Sequence, residues 1–188
     1  MPTFLTSRPV SDADLAVPNL ILVGIPGSGK STVGRAVADA LGRNFLDFDA
    51  EIARRAGISV AEIFAARGEG SFRALERALT DELRETGNFV LTPGGGWVAN
   101  PGCMEALRPP GIIIYLAVEP ARALKRMAAD VSARPLLRRP DPLGELERLL
   151  SERKAAYLLA DHTVRVDFKR EDEVVADIVA LASRLRPD

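Results

Sequence analysis

Cysteine and histidine are almost missing from this chain, which has one of each, Cys103 and His162. A lone cysteine closes no internal disulfide, so a disulfide-stapled secreted scaffold is excluded and a reducing cytoplasm fits. No set of Cys and His with metal-ligand spacing exists, and His162, beside Asp161 near the last expected strand, reads as a loop or core residue rather than a catalytic one. An excess of charge of one sign is missing too. With 25 Lys and Arg against 26 Asp and Glu, the net charge is -1, which gives no basic footprint for a nucleic-acid backbone. Long apolar runs are also lacking: "GIIIYLAV" is far too short to span a bilayer, and no basic, apolar and cleavable leader opens the chain. Neither a nucleic acid nor a membrane is therefore an expected partner.

What is present is enough for one domain with a sizeable core: 188 residues, 47% hydrophobic and 27% charged. Residues 1–19, "MPTFLTSRPVSDADLAVPN", carry three prolines and no sustained period, and read as a flexible extension before a domain spanning 20–188. From Leu20 onward, short apolar runs alternate with helical patterns. Strands are expected at "LILVG", "NFLDFD", "FVLTP", "IIIYLAV" and "TVRVD". Helices are expected at Ser31–Leu41, around Ile52, at Val60–Arg67, Phe72–Glu85, Pro101–Leu107, Pro120–Met127, Leu143–Ala160 and Glu171–Leu185. This rhythm predicts an α/β fold, a five-stranded parallel sheet with helices on both faces.

The strongest chemical signal is Gly24 to Ser31, "GIPGSGKS", which satisfies GxxxxGK[ST] between a strand and a helix. Glycines let the backbone curl so that the N–H groups of Gly27, Ser28, Gly29, Lys30, Ser31 and Thr32 point at phosphate oxygens. The helix N-terminus adds its dipole, Lys30 a full charge, and Ser31 a ligand for Mg²⁺. A nucleoside triphosphate is the implied donor. Hydrolysis, a nucleotide acceptor and a small-metabolite acceptor all remain open from the loop alone.

Three clusters bear on the acceptor. In "FLDFDAEI", Asp47 and Asp49 alternate with Phe45 and Phe48, and a strand's period of two puts both carboxylates on one face, where one orders Mg²⁺ waters and the other accepts a hydroxyl proton. A solvated strand end, with Asp49 capping a helix from Ala50, is the plainer alternative. In "GSFRALER", Arg73 and Glu76 are three apart on one helix face, either a surface ion pair or an arginine oriented as a carboxylate clamp. In "LTPGGGWV", Gly94, Gly95 and Gly96 follow an apolar strand directly, and close backbone approach to a ligand explains three glycines better than a plain turn does.

As an ordered set, the phosphate loop, the "DFD" pair, "FR" with its following glutamate, "GGG", "RPLL" and "RKAAY" resemble the shikimate kinase family from about Leu20 to Arg170. The resemblance implies a three-layer P-loop kinase fold with a mobile lid at about 128–142, and ATP-dependent phosphorylation of the 3-hydroxyl of shikimate by a monomer. It implies Asp49 as the base candidate touching the shikimate hydroxyls, and Asp47 near the metal through water. It implies Arg73 and Arg153 on the substrate carboxylate, a Gly95 N–H on the substrate, Arg134 of the lid on the phosphates, and Arg126 and Arg170 near adenine. Arg138 and Arg139 receive no assignment. Trp97 departs from the pattern, standing where smaller residues are usual, so the resemblance leaves the local shape of the substrate wall and its specificity open. Two other readings compete: a gluconate-type kinase, which "GGG" and "RPLL" disfavour, and a silent ligand sensor, which the joint presence of Lys30, Ser31, Asp47, Asp49 and Arg134 disfavours.

Overall fold

The computed structural model describes residues 17–128 and 140–184. Strand β1 (Leu20–Val23) is buried at every position, the continuous apolar run that a central strand covered on both faces needs. Helix α1 (Lys30–Leu41) starts directly after left-handed Gly29 and stops at left-handed Gly42, burying Val33, Gly34, Val37 and Ala38 at helical spacing. There follow β2 (Asn44–Asp47), α2 (Phe48–Ala56), α3 (Val60–Leu83), β3 (Phe89–Thr92), a 3-10 turn (Trp97–Ala99), α4 (Cys103–Leu107), β4 (Ile112–Ala117), α5 (Pro120–Ala128), α6 (Pro142–Tyr157), β5 (His162–Arg165) and α7 (Glu171–Arg184).

The five strands form one parallel sheet in the order β2-β3-β1-β4-β5, as the rhythm predicts. The connection leaving β1 passes over β3 to reach β2, and the one leaving β3 passes over β1 in the other direction to reach β4. A crevice therefore opens beyond the carboxyl ends of the central strands, the usual ligand position in such a sheet.

Three boundaries differ from the sequence reading. The second strand ends at Asp47, not Asp49, because the Asp47 side chain accepts the Ala50 N–H at 3.1 Å and caps α2. Asp49 is thus a first-turn helical residue: it shares no strand face with Asp47, and the capping role falls to Asp47. The helices expected at 60–67 and 72–85 abut in one span whose kink is Gly68, at φ 74° and ψ 171°, opened by a reciprocal cap between Ser59 and Glu62. Residues 17–19, expected within the flexible extension, are tied to the domain. Val17 O accepts from Asn88 N at 2.8 Å, Asn19 O accepts from Ile112 N at 2.8 Å, and the Asn19 side chain bridges Thr86 O and Phe89 N. Residues 1–16, and 129–139 of the expected lid, lie outside the described residues. Within the lid's expected bounds, Asp141 accepts the Gly144 N–H and caps α6.

No described helix is long and apolar enough to cross a membrane. His162 sits on β5, paired with Ile114, away from the crevice.

Candidate active site

The donor side is built by one contiguous stretch. Between β1 and α1 the backbone turns through Gly24, Gly27 and Gly29 at φ 155°, 81° and 94°, values that side-chain-bearing residues rarely adopt. The turn leads into α1 with its amide dipoles aimed at the crevice. Lys30 Nζ donates to Gly24 O at 2.9 Å and Ile25 O at 3.2 Å, so the ammonium is held across the loop. Ser31 Oγ donates to Asp47 Oδ2 at 2.6 Å, and Thr92 Oγ1 donates to the same oxygen at 3.1 Å. A hydroxyl and a carboxylate side by side at a phosphate loop are the hard-oxygen donors Mg²⁺ takes when phosphates and waters complete its shell, so this pair fits the ion.

A cleft of about 680 Å³ runs from this loop along the sheet edge. Pro26 to Val33, Asp47, Asp49 and Thr92 to Gly95 line one part of it. Arg126, Met127, Val166, Lys169, Glu171 and Val174 line another. Asp49 is open to the cleft water, yet its walls push its carboxyl pKa up, with Asp47 adding to the rise and Lys30 and Arg73 opposing it. The Asp49 carboxyl beside the phosphate loop therefore holds a proton more readily than an ordinary aspartate.

The far side of the cleft draws on four separated elements: α2, α3, the turn after β3 and α6. The Gly94–Gly96 turn follows β3. A methyl on Gly94 would come within 2.9 Å of Asp49 Oδ1 and 3.1 Å of Glu76 Oε1, one on Gly95 within 3.4 Å of Arg153 Nη1, and one on Gly96 would collide with the Arg73 guanidinium. Gly94 and Gly96 are therefore demanded by close approach of the protein's own side chains, where the sequence suggests approach to a ligand, and both arginines are packed on this wall rather than lining the cleft itself. Arg73 Nη1 donates to Glu76 Oε2 at 2.6 Å and Arg73 Nη2 to Glu69 Oε1 at 2.8 Å.

Glu76 has no solvent exposure and its Oε1 has no hydrogen-bond partner among the described residues. Burial outweighs the Arg73 ion pair and pushes its pKa up to about 6. The pair is thus not a solvated surface bridge; Glu76 anchors Arg73 from below.

Several expectations need correction or relocation. Trp97 does not line the cleft: it has no exposure, lies edge-on to Phe48 at 6.3 Å, and donates from Nε1 to Thr80 Oγ1 at 2.8 Å. The bulky ring fills the space between α2, α3 and the glycine turn. Arg170 is 74% exposed, pairs with Asp172 and Glu173, and is not part of the cleft lining. Its neighbour Lys169 lines the cleft instead, paired with Asp177. The sequence marks the segment as basic but not which of its two side chains turns inward. Arg126 does line the cleft, its guanidinium donating to Val166 O. Arg134, Arg138 and Arg139 lie outside the described residues. Tyr157, the last residue of the "RKAAY" stretch and without a role in the sequence reading, donates from its hydroxyl to Gly95 O at 2.8 Å.

A phosphate loop feeding a cleft at the switch of a five-stranded parallel sheet, with a carboxylate base candidate and two guanidinium groups beyond it, defines a P-loop kinase of a small anionic metabolite. The shikimate kinase family model matches residues 26–183. A shikimate kinase of Caldanaerobacter subterraneus subsp. tengcongensis is 39% identical over 168 residues, which is 89% of this chain and 98% of that protein. The solved structure of the shikimate kinase from Acinetobacter baumannii in complex with shikimate matches with a TM-score of 0.84 at 35% identity, over 94% of this chain and 98% of that one. The chain belongs to the shikimate kinase family. A gluconokinase from Sinorhizobium meliloti shares the fold alone, with a TM-score of 0.61 at 20% identity over 90% of this chain and 93% of that one.

Proposed function

We propose that this chain transfers the γ-phosphoryl group of ATP to the 3-hydroxyl of shikimate, giving 3-phosphoshikimate and ADP for aromatic amino-acid biosynthesis, as a cytoplasmic monomer. The observation that supports the reading is the place of Asp49 between both halves of the site: it lines the cleft with the phosphate loop and stands beside Gly94 of the glycine wall, on which Arg73 and Arg153 pack.

In this assignment the N–H groups from Gly27 to Thr32 cradle the phosphates, and Lys30 neutralises charge on the transferred group. Ser31 and Asp47 would hold Mg²⁺, which when bound would supply further neutralisation of phosphate charge. Arg126 borders the nucleotide at the far end of the cleft. Arg73 and Arg153 fork onto the substrate carboxylate, the N–H side of the Gly94–Gly96 turn meets the ring hydroxyls, and the Asp49 carboxylate accepts the 3-hydroxyl proton as the oxygen attacks phosphorus. Arg134 would add positive charge from the lid. Arg170 carries no role in this assignment, its guanidinium being turned to solvent and to Asp172 and Glu173.

The test is coupled ADP release across shikimate, gluconate and nucleoside monophosphates. Shikimate turnover at least a hundredfold above the others is expected. Equal turnover of gluconate, or ADP release without any acceptor dependence, would reject the assignment.

A further inference from the structure

Tyr157 is fully buried at the end of α6, and its ring stacks on Tyr115 with centroids 4.8 Å apart and planes 3° from parallel. Tyr115 belongs to β4, where it pairs with Val23, the last residue of β1 before the phosphate loop. The stack therefore keys the Tyr157 ring to the strand that launches the loop. From that fixed ring the hydroxyl reaches out to donate to Gly95 O at 2.8 Å.

Gly95 is where three parts of the site converge. A methyl there would lie 3.3 Å from Gly24 O, 3.4 Å from Pro26 Cδ and 3.4 Å from Arg153 Nη1. The carbonyls on either side are already committed: Gly94 O accepts from Trp97 N at 3.0 Å and Gly96 O from Ala99 N at 3.1 Å. The Gly95 carbonyl alone in the run has no backbone donor among the described residues, and a side chain from another element holds it instead. Because a trans peptide is planar, holding this carbonyl toward Tyr157 forces the N–H of Gly96 to point the opposite way. Arg153 stands four residues before Tyr157, one turn along the same helix face, so the bond also fixes how far that guanidinium stands from the glycine wall.

We propose that the Tyr157 hydroxyl is a positioning group for the acceptor: by holding the Gly95 carbonyl it sets the orientation of the glycine-turn peptides and their distance from Arg153. This inference rests on the acceptor assignment made above. Tyr157 does not touch the reacting atoms, so its removal acts on acceptor binding and leaves the donor half unchanged.

The experiment is Tyr157→Phe, which keeps the ring and its stack and deletes one oxygen. Turnover of shikimate by the parent enzyme is measured first, so that failure of the acceptor assignment is seen separately. The variant is expected to raise the KM for shikimate about fivefold or more, the loss of one orienting hydrogen bond, with the KM for ATP and kcat within twofold. Tyr115→Phe, which deletes the hydroxyl of the other ring, is expected to leave all three within twofold. A folded Tyr157→Phe variant with an unchanged KM for shikimate, or with both KM values raised alike, would overturn the proposal. As a second readout on the parent fold, the chain has only two tyrosines, so 3-fluorotyrosine labelling gives two fluorine signals, assigned through Tyr115→Phe. The Tyr157 signal is expected to move on saturation with shikimate while the Tyr115 signal moves less. If the Phe variant does not fold, a Tyr157 signal that stays still under saturating shikimate overturns the proposal by itself.

Discussion

The two halves of the cleft are made in opposite ways. The donor half is one uninterrupted segment, Gly24 to Thr32, whose shape is dictated by its own glycines and by the helix that follows. The half we assign to the acceptor draws Asp49 from α2, Arg73 and Glu76 from α3, three glycines from the loop after β3, and Arg153 and Tyr157 from α6. Local backbone chemistry is enough for a site that binds phosphate, which is the same in every nucleotide. A site for one particular ring of hydroxyls and a carboxylate needs groups that only tertiary folding brings together, and each is then held by a neighbour: Arg73 by Glu76, Gly95 by Tyr157. The contrast can be broken or sharpened by substitutions on either side.

The largest effect is expected in the donor half. Lys30→Ala removes charge at the transferred group and leaves the core alone, so kcat is expected to fall by about a thousandfold while circular dichroism and the affinity for shikimate are unchanged. Next is Asp49, the residue shared by both halves. Asp49→Asn keeps the shape and part of the hydrogen bonding, and the chemical step in single-turnover kinetics is expected to slow by about a hundredfold with a smaller change in shikimate affinity. A rate within about threefold of the parent, under roughly 0.7 kcal/mol of barrier, would leave Asp49 an orienting group only.

A pH-dependent effect of middle size belongs to Glu76. Its pKa is about 6 in the folded protein against 4.5 in the unfolded chain, so the native state binds this proton more tightly. The group therefore favours folding at pH below 4.5 relative to higher pH, and this advantage, about 2 kcal/mol, is lost as pH rises from about 4.5 to about 6. In function the direction is opposite. The ionised form anchors Arg73, so the KM for shikimate is expected to rise as pH falls below about 6, and Glu76→Gln is expected to show the higher KM at every pH and a flatter stability profile. A parent enzyme and variant with parallel pH profiles for that KM would remove Glu76 from the acceptor half. The smallest catalytic effect is expected at Trp97: Trp97→Phe loses the bond to Thr80 and some packing, lowering stability by about 1–2 kcal/mol with kinetic constants within twofold.

The same contrast explains what could be read from the chain. The parallel sheet and the phosphate loop were legible because each depends on a local pattern, a buried apolar run or a glycine spacing beside a helix start. The Asp47–Asp49 pair was misread in detail, since strand alternation and a helix's first turn look alike over six residues until the Asp47 cap on Ala50 breaks the period. Arg73 with Glu76 was visible as a helical spacing, but burial, which turns it from a surface bridge into an anchor, depends on the glycine wall arriving from elsewhere. Trp97 shows the limit most plainly. Its neighbours in sequence are wall glycines, and only the packing of α2 and α3 reveals that its ring turns into the core, where it meets Phe48 and Thr80. The places of Lys169 and of the Tyr157 that ends "RKAAY" are not legible, because nothing local distinguishes a basic side chain facing the cleft from one facing solvent, or a structural tyrosine from one holding a glycine carbonyl.

The division of the cleft is tested most directly by titration calorimetry of Arg73→Ala and Arg153→Ala, with shikimate and with a nonhydrolysable ATP analogue measured on the same protein preparations. Each substitution removes one charge-assisted hold on a carboxylate, and shikimate affinity is predicted to fall by about tenfold to a hundredfold with analogue affinity within twofold of the parent. Unchanged shikimate affinity in both variants, or loss confined to the nucleotide, would contradict the placement of the acceptor on the glycine wall.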